Sequence, residues 1–142
     1  MQHTIAVNGT DVSAVKSTEG LKVVFGAFNR NKDMGSVQRY YYDSLGIMAE
    51  QATGGKMAYR LAFQSDTAFM TRNSFSGTLL LNGTSLGAGS TKEDIKKALY
   101  NSPNLKLFGE NGMRYINRET GTVLSFDIRT DGIHEISFGF LK

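Results

Sequence analysis

Thr78-Leu79-Leu80-Leu81-Asn82-Gly83-Thr84-Ser85-Leu86 is the stretch whose reading decides the fold. Leu79 and Leu81 fall on one face of an extended segment, the period-two pattern of a strand. Asn82-Gly83 tolerates positive φ at both centres of a type I′ turn, so the chain is expected to reverse into a second strand over 84–86. The same pattern stands 74 residues earlier as Thr4-Ile5-Ala6-Val7-Asn8-Gly9-Thr10-Asp11-Val12. Three further blocks echo in the same order: Ser17-Thr18-Glu19 with Ser90-Thr91-Lys92-Glu93, Arg39-Tyr40 and Gly46 with Arg114-Tyr115 and Gly121, and 55–63 with 132–140. One such echo could arise by chance, but four in order predict a tandem duplication. The expected repeats are 1–66 and 75–142, with the boundary near Asp66–Phe75, inside one domain spanning 1–142.

Each unit reads as a hairpin, a short helix and a three-stranded meander. Ser90-Thr91-Lys92-Glu93 has capping-box spacing, a hydroxyl three residues before a carboxylate. Ile95, Ala98 and Leu99 then form an apolar stripe, and Pro103 stops the helix from running on. The stripe in the first unit is Leu21, Val24 and Phe25, with Gly26 as the expected stop. Strands are expected at 37–43, 47–50 and 57–64, and again at 113–117, 123–128 and 133–140. Tyr59, Leu61 and Phe63 should face inward, as should Leu124, Phe126 and Ile128, and Ile136, Phe138 and Phe140. The expected class is α+β, an antiparallel sheet with short helices packed on one face.

Composition narrows the function classes. The chain has 142 residues, 40% apolar and 11% aromatic, enough to fill a core. Cysteine is absent, which removes disulfides, thiolate metal sites and cysteine nucleophiles. The two histidines lie 131 positions apart, a poor basis for a metal centre. No cofactor or metal is expected. Apolar runs are too short to span a bilayer and the first residues do not resemble a signal peptide, so a cytoplasmic protein with no membrane partner is expected. The net charge is only +3, with seven basic and six acidic residues in 1–70 and nine and seven in 71–142. Lys92-Glu93-Asp94-Ile95-Lys96-Lys97 mixes its signs and reads as a solvated helix face, so no nucleic-acid partner is expected.

No catalytic constellation emerges. His134 and Glu135 are neighbours on a strand and point to opposite faces. Asp131-Gly132 is explained by a turn, and Asp127 with Asp131 does not make a convincing carboxylate pair. Gly87-Ala88-Gly89-Ser90-Thr91 lacks the spacing and the lysine of a phosphate loop. Asn8-Gly9-Thr10 and Asn82-Gly83-Thr84 fit the glycosylation pattern but sit where the turns are needed. The chain is therefore expected not to be an enzyme.

Gln38-Arg39-Tyr40-Tyr41-Tyr42-Asp43-Ser44-Leu45-Gly46 carries three successive tyrosines, so either Tyr40 and Tyr42, or Tyr41, must face away from the core. Tyrosine and arginine are enriched at interface hot spots. The partner surface is expected to use Tyr40, Tyr42 and Asp43, with Glu50 and Arg60 from the next strands. The order of turn, capped helix, aromatic strand and closing strands resembles the unit of β-lactamase-inhibitor-like proteins and of small outer-membrane assembly lipoproteins. Tyr40-Tyr41-Tyr42-Asp43-Ser44-Leu45-Gly46-Ile47 and Phe75-Ser76-Gly77-Thr78-Leu79-Leu80-Leu81-Asn82-Gly83 resemble bacterial immunity proteins that neutralise toxins of contact-dependent and type VI secretion systems. The resemblance implies a non-catalytic inhibitor whose partner is a cognate secreted toxin. The alternative is a structural or assembly module of a phage or secretion apparatus.

Overall fold

Asn8 and Gly9 adopt φ of 51° and 85°, and Asn82 and Gly83 adopt 51° and 82°, the double positive φ that a type I′ turn requires. The computed structural model describes residues 5–13, 15–64 and 71–140. Thr4 and residues 66–70 of the expected boundary lie outside them. β1 (Ile5–Val7) turns through Asn8-Gly9 into β2 (Thr10–Asp11), and β7 (Leu79–Leu81) turns through Asn82-Gly83 into β8 (Thr84–Leu86). β1 and β7 pair antiparallel, Ala6 opposite Leu80, so the two hairpins join into a four-stranded sheet ordered β2-β1-β7-β8. This second sheet departs from the single sheet expected.

The helices start where their caps stand. In α1 (Thr18–Phe25) the Ser17 hydroxyl accepts from the Gly20 amide, and Gly26, at φ 84°, closes the end. In α2 (Lys92–Ala98) the capping box is Thr91 with Asp94, one residue beyond the expected Ser90 and Glu93. Either pair has the right spacing; Asp94 is the one whose carboxylate reaches back to the Thr91 amide at 2.8 Å.

The larger sheet has eight strands: β3 (Arg30–Asp33), β4 (Val37–Tyr42), β5 (Ile47–Ala52), β6 (Ala58–Ala62), β9 (Leu105–Phe108), β10 (Gly112–Asn117), β11 (Thr122–Arg129) and β12 (Gly132–Phe140). Their order is β3-β4-β5-β6-β12-β11-β10-β9, antiparallel throughout. The described residues are mainly antiparallel β with two short helices. β3 and β9 are additions to the expected three-stranded meanders. Among the described residues both are edge strands with one neighbour each. Arg30-Asn31-Lys32-Asp33 has no apolar residue to betray it, since all four side chains are exposed.

One face of the eight-stranded sheet is packed against the small sheet and the helices in a continuous apolar core. Leu21, Leu61, Phe63, Ile95, Leu99, Phe126 and Phe138 are buried there, as their periodicity implies; Phe25 and Phe140 are only half-buried. Phe25 sits on the last turn of α1, tilted against Tyr42 and edge-on to Tyr59. The Tyr42 hydroxyl donates to the Gly26 carbonyl at 2.8 Å, and burial pushes its pKa up to about 12. Tyr59 is different. Among the described residues its hydroxyl is the buried side-chain polar atom with no hydrogen-bond partner. An unpaired buried hydroxyl forfeits its bonds to water, so Tyr59→Phe should hold or raise stability, by up to about 1 kcal/mol, while Tyr42→Phe should lower it by about 1 kcal/mol. Urea midpoints of the two variants check this; equal losses would contradict it.

Candidate functional site

Alternation along the strands decides which side chains reach the unpacked face. In β4 the inward residues are Tyr40 and Tyr42; Arg39 and Tyr41 point the other way. This corrects the expectation that Tyr40 and Tyr42 form the partner surface. Both rings are in the core, 9% and 2% exposed, where Tyr40 packs on Phe28 at 5.0 Å and Tyr42 on Phe25 at 5.4 Å. A large aromatic ring whose hydroxyl can reach a backbone carbonyl contributes more inside than out, which the sequence pattern alone left open.

Asp43 is also engaged within the molecule. Its carboxylate takes a two-pronged contact from Arg30 at 2.9 and 3.1 Å and a third bond from the Arg72 amide at 3.0 Å. Its own amide donates to the Asn29 side chain, and its carbonyl accepts from Asn73. Asp43 thus ties edge strand β3 and the segment at 71–75 to the end of β4. The Arg30 guanidinium, then the Arg72 amide, hold its carboxyl below the usual carboxylate range. A carboxyl more acidic in the folded chain stabilises above its ordinary pKa, and that contribution is lost as pH falls through the folded value. Asp43→Asn should therefore cost about 1–2 kcal/mol at neutral pH, with the gap to the parent closing below about pH 4. Urea unfolding of both proteins at pH 7 and pH 3 measures it, and an equal gap at the two values would contradict it.

Glu50 and Arg60 do lie on the open face, as expected, and the register adds their neighbours. Arg39 stands directly across from Glu50 and donates to it at 2.7 Å; Arg60 reaches Glu135 at 2.8 Å. The Glu50 carboxylate, more than any other group, raises the Arg39 guanidinium above its ordinary value. Arg30 stacks 3.8 Å above the Tyr41 ring and covers it, leaving it 3% exposed although it points to the open side. Asp127 pairs with Arg129 at 3.1 Å near the β11–β12 turn. Arg114, on β10, sits 4.5 Å above the Phe108 ring. Of the arginines on this face it is the one held by a ring instead of a carboxylate.

The centre of the face is lowered where the outward residues are small. Ser125 and Ser137 are directly opposite each other on β11 and β12, and on β10 Arg114 stands across from Ser125 and Gly112 across from Asp127. A depression of about 230 Å³ lies here, bounded by Arg60, Arg114, Phe108 and Glu135. A second, of about 370 Å³, shares Arg60, Ser125 and Ser137 with it and runs on to Met48 and Glu50. Together they make a shallow trough across the middle strands, floored by small side chains and rimmed by guanidinium groups.

His134 is mostly buried at its side chain and pairs with Asp131 at 2.7 Å, and Asp131 also accepts from Gln64. His134, then Gln64, hold the Asp131 carboxyl below its ordinary value. This pair fastens the β11–β12 turn to the end of β6 and gathers no nucleophile that the described contacts reveal. Among the described residues no group of three or more histidine, aspartate or glutamate side chains is placed to hold a metal ion, and no helix is long and apolar enough to cross a membrane.

The residues left out of the expected site are Arg39, Phe108, Arg114 and Glu135, while Tyr41 is the alternative to Tyr40 and Tyr42 for the outward side. Once 124, 126 and 128 are set inward, alternation already sends 125 and 127 outward; what the pattern lacks is which strand lies beside which. No curated protein and no solved structure matches the chain. A family model described as Domain of unknown function (DUF7738) matches residues 2–96, which takes in the whole four-stranded sheet, β3 to β6 and most of α2. That match covers more than half of the chain, which belongs to this family.

Proposed function

We propose that the protein is a non-catalytic immunity or inhibitor protein, acting in the bacterial cytoplasm, that neutralises a cognate secreted toxin by binding it on the open face of the eight-stranded sheet. The observation that carries this reading is the way the arginines of that face are held before any partner arrives: Arg30 on Tyr41 and Asp43, Arg39 on Glu50, Arg60 on Glu135, Arg114 on Phe108. Side chains fixed in advance lose little entropy on binding, and arginine over an aromatic ring is a recurrent hot-spot arrangement. Lys32 and Lys106 add further positive charge from the two edge strands. The partner surface that complements this face is net acidic.

The two halves are best read as copies of one unit. Each runs strand, strand, helix and then four strands, and both sheets are ordered symmetrically about a central pair, β1 with β7 and β6 with β12. The copies differ on the open face, Tyr41 in one and the Arg114–Phe108 stack in the other, as befits a duplicated binder specialised for one partner.

The experiment is to mix the protein with the product of the open reading frame immediately upstream and measure both complex formation and toxin activity. A complex of about one to one with submicromolar affinity and loss of toxicity is expected. A complex that forms without neutralisation would favour the assembly-module reading. Failure to bind at any concentration up to about 10 μM would contradict the toxin assignment.

A further inference from the structure

The two edges of the eight-stranded sheet occupy equivalent places in the element order, yet they are protected unequally. β3 presents Arg30-Asn31-Lys32-Asp33, all exposed and three of them charged. Charge along an edge discourages pairing with another strand. β9 presents Leu105-Lys106-Leu107-Phe108 instead, with Leu107 66% and Phe108 63% exposed. Among the described residues no other strand pairs with the outer side of this edge. In the β9–β10 ladder Lys106 stands opposite Arg114 and Phe108 opposite Gly112. The Asn104 carbonyl accepts from the Ile116 amide, and the Phe108 carbonyl lies against Gly112. Alternate residues of an antiparallel strand direct their hydrogen-bonding groups to the neighbour. The even-numbered residues therefore face β10, and the amide and carbonyl of Leu107 turn outward.

We propose that β9 is a self-association edge, at which two copies of this chain pair their β9 strands antiparallel about a two-fold axis. The residues of the edge select both the occupant and the register. A two-fold axis perpendicular to the sheet keeps the open face of one copy level with that of the other, so residues directly opposite must share a face. Two registers centre on the middle of β9. Lys106 opposite Lys106 of the second copy sets like charges together, which is unfavourable. Leu107 opposite Leu107 of the second copy instead brings two outward-turned amides and carbonyls together and buries two exposed leucines. The same register sets each Lys106 opposite Phe108 of the other copy, where an ammonium group and a ring attract. The β3 edge offers no comparable self-match. Joined in this way, the two open faces form one continuous surface of sixteen strands.

A four-residue strand makes a small interface, below the size of a standard stable complex. The dimer is accordingly weak and reversible. Sedimentation velocity of the full chain from about 10 μM to about 1 mM should show the sedimentation coefficient rising from monomer towards dimer. Leu107→Lys, which sets like charges across the axis, should weaken self-association at least tenfold. Leu107→Pro should do the same by deleting the outward amide without touching the β9–β10 ladder. Lys32→Gln on the opposite edge should leave it unchanged. Leu107 is two-thirds exposed, so circular dichroism and urea midpoints should match the parent in the β9 variants, and hydrogen exchange at the Leu107 amide should slow as the parent is concentrated. A monomer at every concentration, or a dimer indifferent to both Leu107 substitutions, would overturn the proposal. Neither result decides the open-face reading, which makes no use of Leu107, although Lys106 and Phe108 belong to both surfaces.

Discussion

Gly46→Ala is expected to destabilise the chain by about 3–5 kcal/mol, a large share of the roughly 5–15 kcal/mol that holds an ordinary domain folded. Gly46 lies in the β4–β5 turn at φ 75°, a conformation that costs a residue with a Cβ about 1 kcal/mol. The larger part of the cost is steric. A Cβ built there falls 2.1 Å from the Phe75 nitrogen and 2.5 Å from both the Phe75 Cα and the Ser74 carbonyl carbon. These are backbone atoms, held by the bond from the Phe75 amide to the Ala62 carbonyl, while the Gly46 carbonyl itself accepts from Ala62. Nothing nearby can swing away as a side chain could. Gly9→Ala supplies the comparison. Gly9 has φ 85° but nothing within 4 Å of its missing Cβ, so only the conformational part, about 1 kcal/mol, should be lost. Urea midpoints separate the two effects. Equal losses at both positions would mean that the segment at 71–75 does not cross Gly46 as closely as described.

Arg114→Glu carries the second large effect, this time on binding. The parent guanidinium rests on Phe108 and is paired with no carboxylate on its own face, so its charge is turned to whatever approaches. Reversing that charge at the rim of the trough should weaken the toxin complex by about 100-fold or more, the range of a central hot spot lost and replaced by repulsion. Folding should be spared, because Arg114 is exposed and Lys106, directly across on β9, would receive the new carboxylate. Arg60→Glu should add to the loss, and its own partner Glu135 would then be left unpaired beside it. Lys92→Gln, on the first turn of α2, serves as the control and should bind as the parent does. Calorimetric titration reads all of these. Unchanged affinity in the folded Arg114→Glu protein would move the interface off this part of the sheet.

The features legible in the sequence are those that a few consecutive residues determine. Asn8-Gly9 and Asn82-Gly83 specify their turns because few other dipeptides accept positive φ twice in succession. Ser17 and Gly26 bracket α1 for equally local reasons. The cap of α2 was displaced by one residue because Ser90, Thr91, Glu93 and Asp94 offer two boxes with the same spacing. Edge strands were not legible. β3 has four exposed side chains and gives none to the apolar core, so no apolar period marks it, and β9 is too short for Leu105 and Leu107 to outweigh the turn residues around them.

The candidate site was half legible for a reason of the same kind. Arg60 is placed opposite the core because Tyr59, Leu61 and Phe63 set the parity of β6, whereas Glu50, on β5, has no such guide. The three tyrosines of β4 set no parity, since an aromatic ring with a hydroxyl is at home on either side. The matter is decided by contacts distant in sequence: Phe25 and the Gly26 carbonyl for Tyr42, Phe28 for Tyr40, Arg30 for Tyr41. The Arg114–Phe108 stack depends likewise on β9 being a strand beside β10, which no local pattern announces.

The central claim, that the open face of the eight-stranded sheet meets the partner, can be tested by covalent labelling, because the chain contains no cysteine of its own. Ser125→Cys places a single thiol at the floor of the trough, and Val23→Cys places one on the outer side of α1, where Val23 is 86% exposed. The rate of alkylation of each thiol by iodoacetamide is to be measured with and without saturating upstream-encoded toxin. An interface core excludes water and reagent alike. The account predicts that the partner slows labelling of the Ser125→Cys protein by about tenfold or more and leaves the Val23→Cys protein unchanged. Protection at position 23 with none at position 125 would contradict it.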